Sequence, residues 1–219
     1  MSELKHLSSE EMGLRGMDKK GYSGIYQVFV KRVIDILVSL IALPFIALIG
    51  IPVGIAIKCE DGGPVFYSSP RIGKDFKLFG MLKFRSMKVN APNILNPDGS
   101  TFNSKDDARV TRIGRWIRET SVDELPQILN VLIGHMSLIG PRAGDTDGID
   151  TYTEEEKGKM LVRPGITGYC QAYYRNGLGV GEKRMYDAWY AHNVSFALDV
   201  RIFFRTIKTV LRHDNIYTN

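Results

Sequence analysis

The stretch VIDILVSLIALPFIALIGIPVGIAI, residues 33–57, decides how this chain is organised, because Asp35 is its only charged residue. Lys31, Arg32 and Lys58 flank it. About 20 consecutive apolar residues suffice to cross the hydrocarbon core of a bilayer, and a soluble core helix seldom stays apolar for so long. We therefore predict a membrane-inserted helix over residues 29–58.

Two prolines, Pro44 and Pro52, interrupt this apolar segment. Each proline removes one helical hydrogen bond and crowds the preceding turn. A re-entrant helix that bends at the prolines and returns to the same face fits the basic residues at both ends. A tilted helix that spans the bilayer with tolerated prolines fits the residues equally well, so both arrangements stay open at this point.

The rest of the chain has the composition of a folded protein, since 44% of its 219 residues are hydrophobic and 24% are charged. This length suits one sizeable core. We therefore expect a polar N-terminal arm at residues 1–28, then the membrane helix, then one folded domain at residues 59–219. The arm does not resemble a signal peptide.

Two cysteines, Cys59 and Cys170, lie far apart in the sequence and belong to no Cys/His cluster. This pattern argues against a disulfide framework and against a zinc site. Isolated thiols fit a reducing compartment, so we expect the folded domain on the cytosolic side.

The pattern of apolar, polar and turn-forming residues in 59–219 predicts a mainly helical α+β fold with short β-hairpins. The expected strands are residues 65–67 and 76–79, around a connection at 71–74, and a loop is expected at 90–107. The expected helices are residues 110–118, 124–132, 153–161, 181–192 and 194–212. The last of these is basic and amphipathic, which fits a helix on a membrane surface or a core-facing helix with a solvated basic face.

Positive charge is concentrated directly after the membrane segment. Between Arg71 and Arg118, basic residues outnumber acidic ones by eleven to four, although the net charge of the whole chain is only +5. Such a cluster attracts anionic lipid head groups or cradles a phosphorylated substrate, and a solvated face that follows the positive-inside bias explains many of its residues as well. Nucleic acid is not expected as a partner, because no helix-turn-helix, zinc or aromatic RNA-binding motif is present.

Adjacent carboxylates, Asp123 and Glu124, stand in the stretch SVDELPQILNVLIG. Ser121 and Glu124 have the spacing of a capping box, which is a purely structural explanation. Pro126 fits a helix better if Asp123 is the N-cap, because no hydrogen-bond donor is then missed. A carboxylate at that position can attack a phosphoryl group, and its neighbour can hold a divalent metal ion.

Two further stretches place an arginine beside proline and glycine: IGPR, ending at Arg142, and VRPGITG, which contains Arg163. Proline fixes such a turn and glycine lets the backbone approach a ligand closely. An arginine on a stiff turn can bind phosphate with little loss of entropy, although each stretch alone is more often a structural turn.

Taken together and in this order, these segments resemble the bacterial sugar transferase family, the small monotopic phosphoglycosyl transferases. The resemblance covers residues 29–212 and is carried by KRVID, GGPVFY, RIGK, LKFRSM, RIGRWIRETSVDELPQILNVLIGHMSLIGPR and VRPGITG. It implies a ping-pong reaction in which Asp123 attacks the sugar-bearing phosphate of a UDP-sugar and releases UMP. Polyprenyl (undecaprenyl) phosphate then accepts the sugar-1-phosphate.

The resemblance also implies roles for particular residues. Mg²⁺ is the implied cofactor, with Glu124 and Asp123 as the residues that hold it. Phosphate or nucleotide contacts are implied at the positions that match the family motifs: Lys83, Arg85, Arg118, Pro141, Arg142, Arg163 and Asp187.

The implied setting is the cytoplasmic face of the inner membrane, with a re-entrant helix bent at Pro44 and Pro52 and a membrane-associated C-terminal helix. The implied task is the first membrane step in the synthesis of an exopolysaccharide, capsule, O-antigen or glycoprotein glycan. Anionic lipids, a second copy of the chain and downstream glycosyltransferases are candidate partners.

Two departures from the family pattern affect these expectations. Many members bend the membrane helix at a Ser-Pro pair, which this segment lacks; Pro44 and Pro52 stand in its place. Many members also have proline after the arginine of the Gly-Pro-Arg motif, where this chain has Ala143. A non-catalytic membrane scaffold is the competing hypothesis. The sugar is not specified, and residues 169–184, including Tyr173 and Asn176, are the candidate contacts.

Overall fold

A computed structural model describes residues 24–92, 94, 102, 104, 106–146, 149–174 and 177–212. Within these residues the helices are α1 (Lys31–Asp61), α2 (Arg112–Glu119), α3 (Gln127–Ile133), α4 (Glu154–Lys157), α5 (Tyr169–Tyr173), α6 (Val180–His192) and α7 (Phe196–Arg212). The strands are β1 (Phe66–Ile72), β2 (Leu78–Phe84), β3 (Ser137–Ile139), β4 (Gly144–Asp145) and β5 (Gly165–Thr167). A mainly helical fold with few strands and one long apolar helix near its start confirms that part of the prediction. The expected arm lies mostly outside the described residues.

The apolar segment forms one uninterrupted helix. A π-helical turn, Tyr26–Val30, leads directly into α1, so helical structure begins earlier and ends later than residues 29–58. Helix α1 continues through Pro44 and Pro52, and the re-entrant bend at these prolines stays a prediction. Residues 26–61 are long and apolar enough to cross a membrane, and only 11% of their most apolar window is buried. A core helix of a soluble protein would be mostly buried, so this helix is compatible with membrane association.

Both ends of α1 are attached to the same folded body. Near its start, Arg32 donates hydrogen bonds to the carbonyl oxygens of Val131 and Leu132, at 2.6 and 2.9 Å. Near its end, Val53 and Ile57 are buried in an apolar cluster with Phe84 and Ile117 of the folded domain. Most apolar side chains between these ends are exposed, among them Leu40, Ile41, Phe45 and Leu48.

The predicted hairpin is present but its bounds were wrong. Strands β1 and β2 pair antiparallel from Phe66 opposite Phe84 to Ile72 opposite Leu78, so the connection is residues 73–77 rather than 71–74. Arg71 and Ile72 lie inside β1, where they pair with β2 on one side and with β4 on the other. The two pairs with β4 join residues far apart in sequence, and such pairing leaves no local signal.

A short parallel pair, β3 and β5, was not predicted. It aligns Ser137 with Gly165 and Ile139 with Thr167, and thereby joins the two arginine-bearing turns. A side chain on Gly140 would clash with the backbone of residues 163–165 at 2.5–3.0 Å, so only glycine allows this approach.

Most predicted helices are present with shifted ends. Helices α2, α6 and α7 lie within about two residues of their expected bounds, and the predicted helix at 153–161 is α4 followed by a 3-10 turn, Gly158–Leu161. Helix α7 is anchored by Asp199, whose carboxylate accepts hydrogen bonds from Tyr26, Lys31 and Tyr190. It exposes Phe203, Phe204, Ile207 and Val210. The loop predicted at 90–107 falls largely outside the described residues.

Candidate active site

The carboxylate pair lies on a 3-10 turn, Val122–Glu124, between α2 and α3. The expectation that Asp123 is the N-cap of a helix was wrong, since α3 begins at Gln127 and Pro126 is its N-cap. Ser121 has a left-handed backbone with φ of 59°, which turns the chain sharply before the pair. Asp123 is therefore held by a tight turn and not by a helix end.

Lys83 of β2 faces this turn. Its Nζ lies 2.6 Å from Glu124 Oε1 and 4.0 Å from Asp123 Oδ2. The buried side chain of Asn130 fixes the spacing, because its Oδ1 accepts a hydrogen bond from Leu82 N and its Nδ2 donates one to Gly80 O, at 2.9 and 2.8 Å. Strand β2 and helix α3 are thus tied together directly beside the predicted nucleophile.

The pKa values of the two carboxylates are shifted in opposite directions. Asp123 is only 8% exposed, and burial raises its pKa to about 6. The charge of Glu124 adds to this increase, whereas the charges of Lys83 and Arg118 oppose it. Burial also raises the pKa of Glu124, but the charges of Lys83 and Arg142 outweigh that effect and leave it below its ordinary value. Pairs whose pKa values are pushed apart in this way are typical of active sites.

Arg118 and Arg142 approach the pair from two directions. Arg118 donates from Nε to Ser86 Oγ at 2.8 Å, and its charge acts on Asp123. Arg142 is exposed and lines a cleft together with Glu124. Its neighbour Pro141 is fully buried and holds the turn. The structure thus brings Lys83, Arg118 and Arg142 to the carboxylate pair.

Asp187 supports the Arg142 turn from behind. Its Oδ2 accepts hydrogen bonds from Arg142 N at 3.2 Å and from the buried Lys159 Nζ at 3.0 Å. Asp187 itself is 2% exposed, so it positions the arginine turn and presents no free surface to a phosphate.

Two of the predicted phosphate-binding arginines have other contacts. Arg85 forms a two-point ion pair with Asp61 and donates from Nε to Pro64 O at 2.6 Å, so it fastens the end of α1 to the end of β2. Arg163 donates from Nε to Gly134 O at 2.8 Å and faces a different cavity, which Arg32 and Asp35 also line. The structure does not place either arginine in the cleft with Glu124.

The cleft contains residues that the sequence analysis did not single out, although its range of candidate sugar contacts, residues 169–184, includes one of them. Arg71, Gln127 and Gln171 line it with Glu124 and Arg142. Gln127 hydrogen-bonds Glu124, and its position three residues after Glu124 at the start of α3 was an available signal. Arg71 belongs to the RIGK motif. It forms an ion pair with Asp145, and residues so far apart in sequence give no signal of such a contact.

The carboxylate pair is the candidate metal site. The described residues hold no cluster of three or more His, Cys, Asp or Glu side chains suited to a metal ion. Mg²⁺ is commonly held by one or two carboxylates together with substrate phosphates, so a carboxylate pair beside a cleft that Arg142 also lines fits this mode of binding. Glu124 is the better exposed of the two, with 28% of its side chain accessible.

Comparison with known proteins gives consistent matches over this region. The family model described as "Bacterial sugar transferase" matches residues 26–213. The chain is 38% identical over 203 residues to the undecaprenyl-phosphate galactose phosphotransferase of Salmonella typhimurium strain LT2, a match that covers 86% of this chain and 42% of that protein.

Two other relatives show the same similarity. The chain is 40% identical over 195 residues to the UDP-N-acetylgalactosamine-undecaprenyl-phosphate N-acetylgalactosaminephosphotransferase of Aeromonas hydrophila, covering 86% of this chain and 45% of that protein. It is 36% identical over 192 residues to the uncharacterized sugar transferase EpsL of Bacillus subtilis strain 168, covering 86% of this chain and 91% of EpsL. The chain thus spans less than half the length of the Salmonella and Aeromonas proteins.

Proposed function

The chain belongs to the bacterial sugar transferase family, and on this premise we propose that it transfers a sugar-1-phosphate from a UDP-sugar to undecaprenyl phosphate or a similar polyprenyl phosphate. The observation that carries the proposal is the buried Asp123, with a raised pKa, beside the cations of Lys83 and Arg118. The printed names of the Salmonella and Aeromonas relatives support the class of acceptor.

Asp123 is the proposed nucleophile of the first step. One carboxylate oxygen of Asp123 attacks the sugar-bearing phosphorus, and the bond from that phosphorus to the UMP oxygen breaks. UMP leaves with the bonding electron pair, and a phospho-sugar stays on Asp123. A carboxylate removed from water is a stronger nucleophile than a solvated one, and its pKa of about 6 keeps most of it ionised at pH 7.

The acceptor completes the reaction in a second step. A phosphate oxygen of the polyprenyl phosphate attacks the same phosphorus, and the bond to the Asp123 carboxylate breaks. The products are a polyprenyl diphosphate sugar and free Asp123. Atoms and charges balance over the two steps without an oxidant or a reductant.

The surrounding cations stabilise the charge that moves during both steps. Lys83 lies within reach of both carboxylates, and Arg142 projects into the cleft from a turn held by Asp187. Positive groups that are already fixed in place stabilise a developing phosphoryl charge without reorganisation. Glu124 and Asp123 are the residues that would hold Mg²⁺, which would neutralise part of the diphosphate charge.

The attachment of both ends of α1 to one folded body supports a re-entrant arrangement at the membrane. Arg32 binds the end of α3, and Ile57 packs on β2, while Asn130 ties α3 to β2. A helix that spans the bilayer would have its two ends on opposite sides of a hydrocarbon core about 30 Å thick, so a folded body on one side could not contact both ends. We propose that the domain lies on the cytoplasmic face of the inner membrane, with α7 at the same surface. A second copy of the chain and downstream glycosyltransferases stay predictions.

The test is a turnover assay with the purified full chain in detergent, Mg²⁺, undecaprenyl phosphate and a panel of UDP-sugars. We expect UMP release with at least one donor, which also identifies the sugar, and loss of release in Asp123→Asn. Asp150→Asn, an exposed aspartate on another turn, is the matched control. The absence of UMP release with every donor would support the scaffold hypothesis instead, and full turnover by Asp123→Asn would refute the nucleophile.

A further inference from the structure

One polar atom in the cleft has no part in the proposed reaction. The side-chain Oε1 of Gln171 is buried, and no described residue donates a hydrogen bond to it. Gln171 lines the cleft together with Glu124 and Arg142. A buried acceptor without a donor costs about 1–3 kcal/mol, so its presence beside a candidate active site calls for a physical reason.

The backbone around Gln171 is built to hold its amide in this place. Helix α5 follows β5 directly, with Gly168 between them. A side chain on Gly168 would lie 2.0 Å from Gly140 O and 2.9 Å from Gln171 Oε1. Glycine at 168 therefore allows both the close contact of the two turns and the position of the amide, and no larger residue fits there.

The chemistry of the cleft indicates what satisfies the amide. Arg142 supplies positive charge for a diphosphate, and Glu124 adjoins the nucleophile. In a UDP-sugar, a hydroxylated ring flanks the diphosphate on each side, the transferred sugar at one end and the ribose at the other. A neutral amide both donates and accepts hydrogen bonds, which suits a hydroxyl group, whereas phosphate oxygens only accept.

We propose that Gln171 is a specificity-determining residue, whose side-chain amide hydrogen-bonds a ring hydroxyl next to the diphosphate of the donor. This inference rests on the proposed function and assigns a recognition role within the same site. The hydroxyl belongs to the transferred sugar or to the ribose, and the two sources are distinguished by the experiment.

The experiment compares kcat/KM of the wild-type chain and of Gln171→Leu with the UDP-sugar that the turnover assay identifies, called the natural donor below, and with two sets of its analogues. One set lacks single hydroxyls of the sugar, and the other lacks the 2′- or 3′-hydroxyl of the ribose. We expect Gln171→Leu to lower kcat/KM for the natural donor by about tenfold, since one neutral hydrogen bond is lost. With the wild type, one deoxy analogue should show a kcat/KM about tenfold below that of the natural donor. With Gln171→Leu, the same analogue and the natural donor should have equal kcat/KM. The ring that lacks a hydroxyl in this analogue is the ring that Gln171 contacts.

Gln27→Leu is the matched control, because it removes an amide that binds Val194 O away from the cleft. If Gln171→Leu lowers activity equally for every donor and analogue, the residue has only a structural role and the inference is overturned. Unchanged kinetics in Gln171→Leu would overturn it as well. Both outcomes leave UMP release by the wild type intact, whereas failure of the proposed function abolishes UMP release in every variant.

Discussion

At the scale of single residues, Asp123 combines burial with a need for charge. Its side chain is removed from water, which raises its pKa, whereas the proposed reaction requires the ionised form. Lys83 resolves part of this conflict by lying 4.0 Å from Asp123 while it binds Glu124 at 2.6 Å. Such an arrangement favours reactivity at the expense of folding free energy.

The two carboxylates should therefore affect stability in opposite directions. A raised pKa means that ionised Asp123 destabilises the fold above about pH 6, so Asp123→Asn should raise the thermal midpoint by about 2–4 °C, the shift that about 1 kcal/mol produces in a chain of this size. The gain should fade as the pH falls below 6, where Asp123 is protonated. Glu124, with a lowered pKa, stabilises the fold at neutral pH, and Glu124→Gln should lower the midpoint. Thermal unfolding in detergent between pH 5 and 8 measures both, and a loss of stability in Asp123→Asn would contradict the electrostatic account.

The first chemical step should depend on pH through Asp123. In the proposed first step only the carboxylate form of Asp123 attacks, so the rate of the UMP burst should fall about tenfold per pH unit below the pKa of about 6 and level off above it. Lys83→Met removes a charge that lowers this pKa, so the midpoint should move to higher pH. Rapid-quench measurement of UMP without acceptor provides the profile. A midpoint in Lys83→Met that stays in place or moves to lower pH would show that Lys83 does not act on Asp123.

At the scale of elements, the motif LKFRSM shows what sequence reasoning could and could not predict. The family resemblance implied phosphate contacts at both Lys83 and Arg85, which lie two residues apart in this motif. Strand β2 carries Lys83 to the carboxylate pair, whereas Arg85 lies beyond its end and binds Asp61 of α1. Both residue types are typical of phosphate sites. Asp61, the partner of Arg85, is distant in sequence, so only the fold shows that Arg85 already forms an ion pair.

Arg85 and Arg142 should consequently behave differently when each is replaced by methionine. Arg142→Met should raise the KM for the donor by about 10- to 100-fold, because a charge-assisted hydrogen bond to phosphate is lost. Arg85→Met should lower the thermal midpoint while the kcat/KM of the folded fraction changes by less than about twofold. Steady-state kinetics corrected for the active fraction, together with thermal unfolding, compare the two. A large rise in KM for Arg85→Met at unchanged stability would show that Arg85 binds the phosphate of the donor and would contradict this assignment.

At the scale of the whole molecule, the apolar segment predicted one long apolar helix, and the pattern of the following residues predicted a mainly helical fold; both are present. The division into a membrane helix and one folded domain stays a prediction. The parallel pair of β3 and β5 and the short turn under Asp123 were not predictable, because both depend on contacts between distant segments. The attachment of α1 at both ends was equally invisible in the sequence. It also gives the re-entrant arrangement a structural argument that Pro44 and Pro52 alone did not provide.

The topology of α1 can be tested with one natural and one introduced cysteine. Cys59 is exposed near the end of α1, and Cys170 is buried. Gly24 is exposed ahead of its start, so Gly24→Cys in a Cys59→Ser background labels the other end. A membrane-impermeant maleimide applied to intact spheroplasts should label neither site, and both should react after permeabilisation. Labelling of one end alone in intact spheroplasts would establish a spanning helix.

The central claim is that Asp123 carries the sugar-1-phosphate between donor and acceptor. The most direct measurement is intact mass spectrometry of the purified chain after incubation with its UDP-sugar and Mg²⁺ in the absence of polyprenyl phosphate, followed by peptide mapping. The account predicts one added sugar-phosphate on Asp123, which forms as UMP accumulates in equal amount and is removed when undecaprenyl phosphate is added. An unmodified chain that still converts donor and acceptor to product, or an adduct on another residue, would contradict it.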